Sequence, residues 1–176
     1  MKKNTESKKS AEDWFQEGID ASKIGDPRTC LESYKKAIEI DPDHFLAQFN
    51  LGIRYAKLPM NIEAARHFRE ALRLKPESPM VHYSLALVCN LTGETDNAVN
   101  HYNEAIRFNP EFAKAHSNLA MLCYSLKRGK ETIYHLLKSV EMFEKTGDEF
   151  MVNNAKSLLK DCFKEFKLTA DDCQTL

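Results

Sequence analysis

The phrase EAIRFNPEFAKAHSNLA at 104–120 is the third writing of one pattern. EALRLKPESPMVHYSLA stands 34 residues before it, and KAIEIDPDHFLAQFNLG 34 before that. A fixed interval of this length constrains a chain more than any local propensity does. Each interval must be one supersecondary unit that buries its apolar face against its neighbours. Counted from Ala11, the intervals are 11–44, 45–78, 79–112 and 113–146. The eighth place holds Gly18, Gly52, Ala86 and Ala120; the twentieth Cys30, Ala64, Ala98 and Thr132; the twenty-seventh Ala37, Ala71, Ala105 and Ser139. Large residues recur at the twenty-fourth: Tyr34, Phe68, Tyr102 and Leu136. Helices approach closely only where facing side chains are small, and a large neighbour fills the space left between them. Pro42, Pro76 and Pro110 take the thirty-second place, where a helix cannot continue; Glu144 stands there in the fourth interval, and the register fades.

Each interval divides into two helices. Trp14, Gly18 and Ala21 follow a 3.6-residue period before GDP at 25–27 interrupts it. Asp26 can cap the next helix and Pro27 suits its first turn. Cys30, Leu31, Tyr34, Ala37 and Ile38 then share one face. KLPMN at 57–61 and LTGET at 91–95 make the same break, and no stretch alternates with the period of a strand. The helix over the fourth interval's second half reads on through EMFEKTGD. DEFMVNNAKSLLKDCFKEF follows as an amphipathic pattern, read as a cap over 147–168 that covers the last apolar face. Residues 1–10 read as a flexible polar tail and 169–176 as a frayed end.

These residues give a resemblance to the tetratricopeptide repeat (TPR) family. Trp14, Gly18, Gly25, Ala37 and Pro42 fit its pattern in the first repeat. Leu51, Gly52, Tyr55, Ala64, Phe68, Ala71 and Pro76 fit it in the second, and Leu85, Ala86, Gly93, Ala98, Tyr102, Ala105 and Pro110 in the third. The fourth repeat, with Leu119, Ala120 and Ile133, fits at first and then departs. The resemblance implies an all-α fold: a right-handed superhelical solenoid of antiparallel helix pairs with a C-terminal capping helix. It implies a concave groove lined by the first helix of each pair, where a protein or peptide partner binds. The groove residues it implies are Phe15, Ile19, Phe49, Asn50, Ile53, Tyr83, Leu87, Asn118 and Met121. Aromatic and aliphatic groups would hold ligand side chains, and the amides its backbone. One variant of the family clamps the C-terminal carboxylate of chaperones with a Lys and an Asn from one repeat, an Asn from the next, and a Lys and an Arg from the third. Here Asn50 is flanked by Phe15, Ile19, Met80 and Ser84, none of them basic; Lys114 and Asn118 lack partners at Phe49, Ile53 and Ser84. That clamp is mostly absent.

Other chemistry finds little support. Lys plus Arg number 25 against 26 Asp plus Glu, so the net charge of −1 offers no general attraction to nucleic acid or anionic lipid. No apolar run approaches the ~20 residues of a membrane span. The five cysteines include no C-x-x-C pair, which speaks against a disulfide framework and for a reducing, cytoplasmic setting. Phosphate loops, G-x-S-x-G and H-E-x-x-H are absent, so no enzyme and no cofactor is expected. His67, His101 and His135 share the twenty-third place and His82 and His116 the fourth; with no Cys or carboxylate to complete a set, they read as packing residues rather than a metal site. The expectation is a non-catalytic scaffold or adaptor. A substrate-docking region of an enzyme assembly, such as a protein O-glycosyltransferase, and a self-assembling homo-oligomeric scaffold are the alternatives.

Overall fold

A computed structural model describes residues 8–173, which fall into two compact units, 8–76 and 77–173. All regular structure among the described residues is helical. Unit 1 contains α1 (Ala11–Ile24), α2 (Pro27–Ile40), α3 (Phe45–Lys57) and α4 (Asn61–Leu74). Unit 2 contains α5 (Pro79–Leu91), α6 (Thr95–Phe108), α7 (Ala113–Ser125), α8 (Gly129–Thr146) and α9 (Glu149–Phe166), then a short 3₁₀ turn, Asp171–Cys173. Within each unit the helices pack in sequential pairs, α1 on α2, α3 on α4, α5 on α6 and α7 on α8, with α9 against α8.

The boundaries follow from local chemistry. Ser10 opens α1 in a capping box with Asp13: the Asp13 N–H donates to Ser10 Oγ at 3.1 Å, and the Ser10 N–H donates to the Asp13 carboxylate at 2.8 Å. The polar tail thus gives way to a helix cap at Ser10, while residues 1–7 lie outside the described part. Gly25 closes α1 with φ 77°, a left-handed conformation that glycine adopts without steric cost. Asp26 then accepts from the Arg28 and Thr29 N–H groups, each at 3.1 Å, with Pro27 in the first turn of α2.

The small places meet the large ones. A Cβ on Gly18 would lie 2.5 Å from the Tyr34 ring, and one on Gly52 2.6 Å from the Phe68 ring. Ala37, Ala71, Ala105 and Ser139 are all fully enclosed. The polar residues that break the pattern in the fourth repeat are satisfied inside their own helix. Thr132 Oγ1 donates to the Arg128 carbonyl and Ser139 Oγ to the Leu136 carbonyl, both at 2.9 Å, so each is accommodated in an apolar layer. Ala71→Leu should therefore overpack the α3–α4 contact and lower stability by about 1–3 kcal/mol. Lys75→Leu, at an exposed position just past α4, should change little. Urea unfolding of the two variants checks this, and equal midpoints would contradict the packing.

α8 runs 18 residues against 14 for α6, and Gly147, with φ 71°, ends it. Asp148 caps α9 by accepting from the Met151 N–H at 3.1 Å. Ala155, Leu159 and Cys162 of α9 join Ala120, Ile133, Leu136 and Val140 in one buried cluster. The Phe166 ring lies against Gly129, where an added Cβ would come within 2.6 Å of it. Two apolar residues of the amphipathic pattern, Phe150 and Leu158, stay outside this contact and are exposed. The chain after α9 is not frayed over 169–173. Thr169 N–H and Oγ1 donate to the Asp172 carboxylate at 2.8 and 2.6 Å, and the turn buries Cys173 completely in the same cluster. Residues 174–176 lie outside the described part.

Candidate functional site

The groove residues expected from the sequence lie on α1 and α3 of unit 1 and on α5 and α7 of unit 2, and their surroundings differ. In unit 1, Phe15 is buried, its ring centroid 5.8 Å from Tyr34 and 4.8 Å from His44. It packs between helices and presents little surface to a ligand. Phe49 is half-buried, stacked 6.3 Å from Phe45 and tilted 5.8 Å from Phe68. Asn50 is half-buried on the same helix, and burial together with the nearby Cys30 pushes the Tyr34 pKa up to about 12. Ile19 and Ile53 are half-buried.

Unit 2 presents a more open wall. Asn118 Nδ2 donates to the Tyr83 hydroxyl at 2.9 Å, so the amide braces that ring. Burial raises the pKa of both phenols. Tyr83 lies 4.8 Å from Phe112, and these two rings floor an open cavity of about 430 Å³ bordered by Met80, Lys114, Phe143 and Asp148. Leu87 is half-buried beyond them. Met80 and Met121 are about half exposed, at 51% and 45%. The Asn118 amide is thus committed to a tyrosine of the preceding repeat. Sequence reading assigned it, with Asn50, to a ligand backbone and did not anticipate the bond to Tyr83.

The histidines make a second repeated arrangement. The fourth and twenty-third places pair within a repeat, always 19 residues apart. His67 Nδ1 lies 2.8 Å from Gln48 Oε1, His82 Nδ1 3.1 Å from His101 Nδ1, and His116 Nδ1 2.9 Å from His135 Nδ1. In unit 1, Gln48 Nε2 also donates to the Pro42 carbonyl at 3.0 Å. In unit 2, His116 Nε2 reaches the Pro110 carbonyl at 3.1 Å. The fourth-place side chain thus ties the proline turn before its helix to the second helix of its own repeat. Burial, Arg66 and Lys35 hold His67 down to about 4; burial, His116 and Arg128 hold His135 down to about 3. Among the described residues no three His, Cys, Asp or Glu side chains converge as a metal would need. All five cysteines are buried, and burial pushes the Cys123 thiol up to about 11, away from nucleophilic use.

Comparison with known proteins matches the TPR repeat family over residues 89–126, in unit 2, and the tetratricopeptide repeat family over 14–44, in unit 1. The chain is a tetratricopeptide repeat protein. No curated protein matches it. Among solved structures, this TPR protein is similar to YrrB, described as a TPR protein with an unusual peptide-binding site. The TM-score is 0.72 at 21% identity, over 96% of this chain and 87% of that one. It is similar to MamA of Desulfovibrio magneticus at a TM-score of 0.72 and 20% identity, over 77% of each chain. The O-GlcNAc transferase of Thermobaculum terrenum gives a TM-score of 0.63 at 19% identity, over 77% of this chain but 26% of that one. At such identities the likeness is one of fold. No described helix of the TPR protein is long and apolar enough to cross a membrane.

Proposed function

We propose that this TPR protein is a non-catalytic interaction module, an adaptor or scaffold that takes up a peptide segment on the wall formed by α5 and α7. The observation that carries this reading is the open cavity floored by Tyr83 and Phe112. Met80, half exposed, stands on its border, and Met121 of α7, also half exposed, lines a second, smaller cavity with Leu158 of α9. Apolar surface of this kind on a soluble protein marks contact, and methionine adapts to varied ligand side chains. Lys114 and Asp148 at the rim supply charges of opposite sign that can orient a bound chain. YrrB, of similar fold, is described as having a peptide-binding site, which agrees with this use. The Phe15, Ile19, Phe49, Asn50 and Ile53 face of α1 and α3 is the lesser contact, because Phe15 is buried. Five buried cysteines outside any disulfide framework suit a reducing compartment such as the cytoplasm.

Met80→Glu and Met121→Glu alter exposed atoms of this wall, and together they should weaken binding tenfold or more, about 1.4 kcal/mol, with little change in melting. Arg69→Glu, exposed on α4, is the control and should bind normally. Partners are captured from the native cell and a synthetic peptide of the captured segment is titrated calorimetrically. Normal binding by the double methionine variant would sink the reading. A second reading, a substrate-docking region for a protein-modifying enzyme, is favoured by the likeness to part of an O-GlcNAc transferase. Copurification with transferase activity would mark it. Mass in solution distinguishes a self-assembling scaffold.

A further inference from the structure

The hydrogen bonds at His116 fix where its protons sit. The Pro110 carbonyl can only accept, so Nε2 of His116 must carry the hydrogen. In the neutral ring Nδ1 is then a bare acceptor, and the hydrogen between the two Nδ1 atoms, 2.9 Å apart, belongs to His135. The order is Pro110 C=O, accepting from His116 Nε2–H, whose Nδ1 accepts from His135 Nδ1–H. A first added proton has one place to go, Nε2 of His135, on a ring that is only 6% exposed. A second would put N–H groups head to head. Charged groups acting on the pair come from α8 and its lead-in: Lys138 and Glu141 bear on His116, and Arg128 on His135. On the packed neighbours, Arg107 and Glu104 of α6 pair with each other, Cys123 of α7 faces Glu131, and Lys156 of α9 holds Glu144.

We propose that the His116–His135 pair is an acid-sensitive latch between α7, α8 and the Pro110 turn, closed when both rings are neutral and opened by protonation. Both rings sit below the ordinary histidine value in the folded chain, chiefly through burial. The latch therefore contributes fully above about pH 6.5, the unfolded value, and is lost progressively as pH falls below it. Opening it loosens α7, the helix that carries Asn118 and Met121.

Repeat two supplies the control. Gln48 makes the same two bonds, to Pro42 and His67, without titrating. His116→Gln should keep the neutral connections and remove one suppressed ring. Each such ring lowers the folded-to-unfolded ratio by up to about tenfold per pH unit below its unfolded pKa. Urea unfolding of the full chain at pH 7.5, 6.5 and 5.5 should find similar stability at pH 7.5. Between pH 6.5 and 5.5 the wild type should fall more steeply than His116→Gln, by up to about tenfold in that ratio. Long-range ¹H–¹⁵N spectra of the wild type should show His116 protonated at Nε2 and His135 at Nδ1 at pH 7.5, neither ring titrating near pH 6.5. Equal pH slopes for the two proteins, the opposite tautomers, or ordinary titration of either ring would overturn the latch.

Discussion

Ending the chain after Thr146, so that α9 and the turn beyond it are lost, should leave a protein that aggregates or melts far lower than the full chain. α9 covers the fully enclosed Ile133 and Leu136, and its removal uncovers Val140 and Ala120 as well. Each large aliphatic side chain returned to water costs about 1.5–3 kcal/mol, so a few together rival the whole stability of a domain this size. The helix is also tied down at its far end. Glu165 accepts from the Tyr124 hydroxyl and from Lys127 Nζ, linking α9 to α7 and the turn after it. Size-exclusion chromatography and circular dichroism of the truncated chain are the measurement. A monomer with unchanged melting would show that α9 covers nothing essential. Glu165→Ala alone should shift melting little, because its ion pair with Lys127 is solvent-exposed.

Gly52→Val should destabilise unit 1 by about 3 kcal/mol, the upper end for overpacking. The Phe68 ring occupies the space a Cβ would take and is itself fully buried, so the clash cannot be relieved into solvent. The gain in helix propensity over glycine, at most about 1 kcal/mol, is too small to compensate. The fourth repeat solves the same contact with Ala120 and Leu136 in the equivalent places. Gly52→Ala combined with Phe68→Leu should therefore lose less than the sum of the two single changes, because the residues are in contact. Urea midpoints of the three chains decide it. Strict additivity would mean that the two places do not share a space.

The pairing of helices could be read from the chain because three small places and one large one recur at one interval. Steric exclusion at Gly18, Gly52, Ala37 and Ala71 leaves few ways to pack two helices. Ser10 carried a readable signal too, since Ser10 and Asp13 stand at the spacing of a capping box. The last turn was harder. Thr169, Asp172 and Cys173 look like any polar terminus, and only the apolar cluster built by α8 and α9 makes burial of that cysteine favourable.

The wall residues were legible as a set but not in their individual roles. Periodicity places Phe15 and Tyr83 alike, on the first helix of a pair. Whether a ring turns inward depends on its neighbours: His44 and Tyr34 enclose Phe15, while the opening above Tyr83 and Phe112 remains. The amides of Asn50 and Asn118 could serve a ligand or a tyrosine, and composition does not choose between them. The histidine pairs were visible as two registers. Their joining needed the within-repeat geometry, which sets the fourth place against the twenty-third.

The chain contains one tryptophan, Trp14 of α1, and Lys9 and Lys36 place their ammonium groups 4.3 and 3.9 Å from its ring centroid. All of its indole fluorescence therefore originates in unit 1, beside two cations that sense the closing of α1 on α2. Circular dichroism, by contrast, sums the helices of both units. Recorded on one sample, the two signals separate events that either alone would merge. Coincident transitions would mean that 8–76 and 77–173 melt as one cooperative block, and divergent ones that each holds its own free energy.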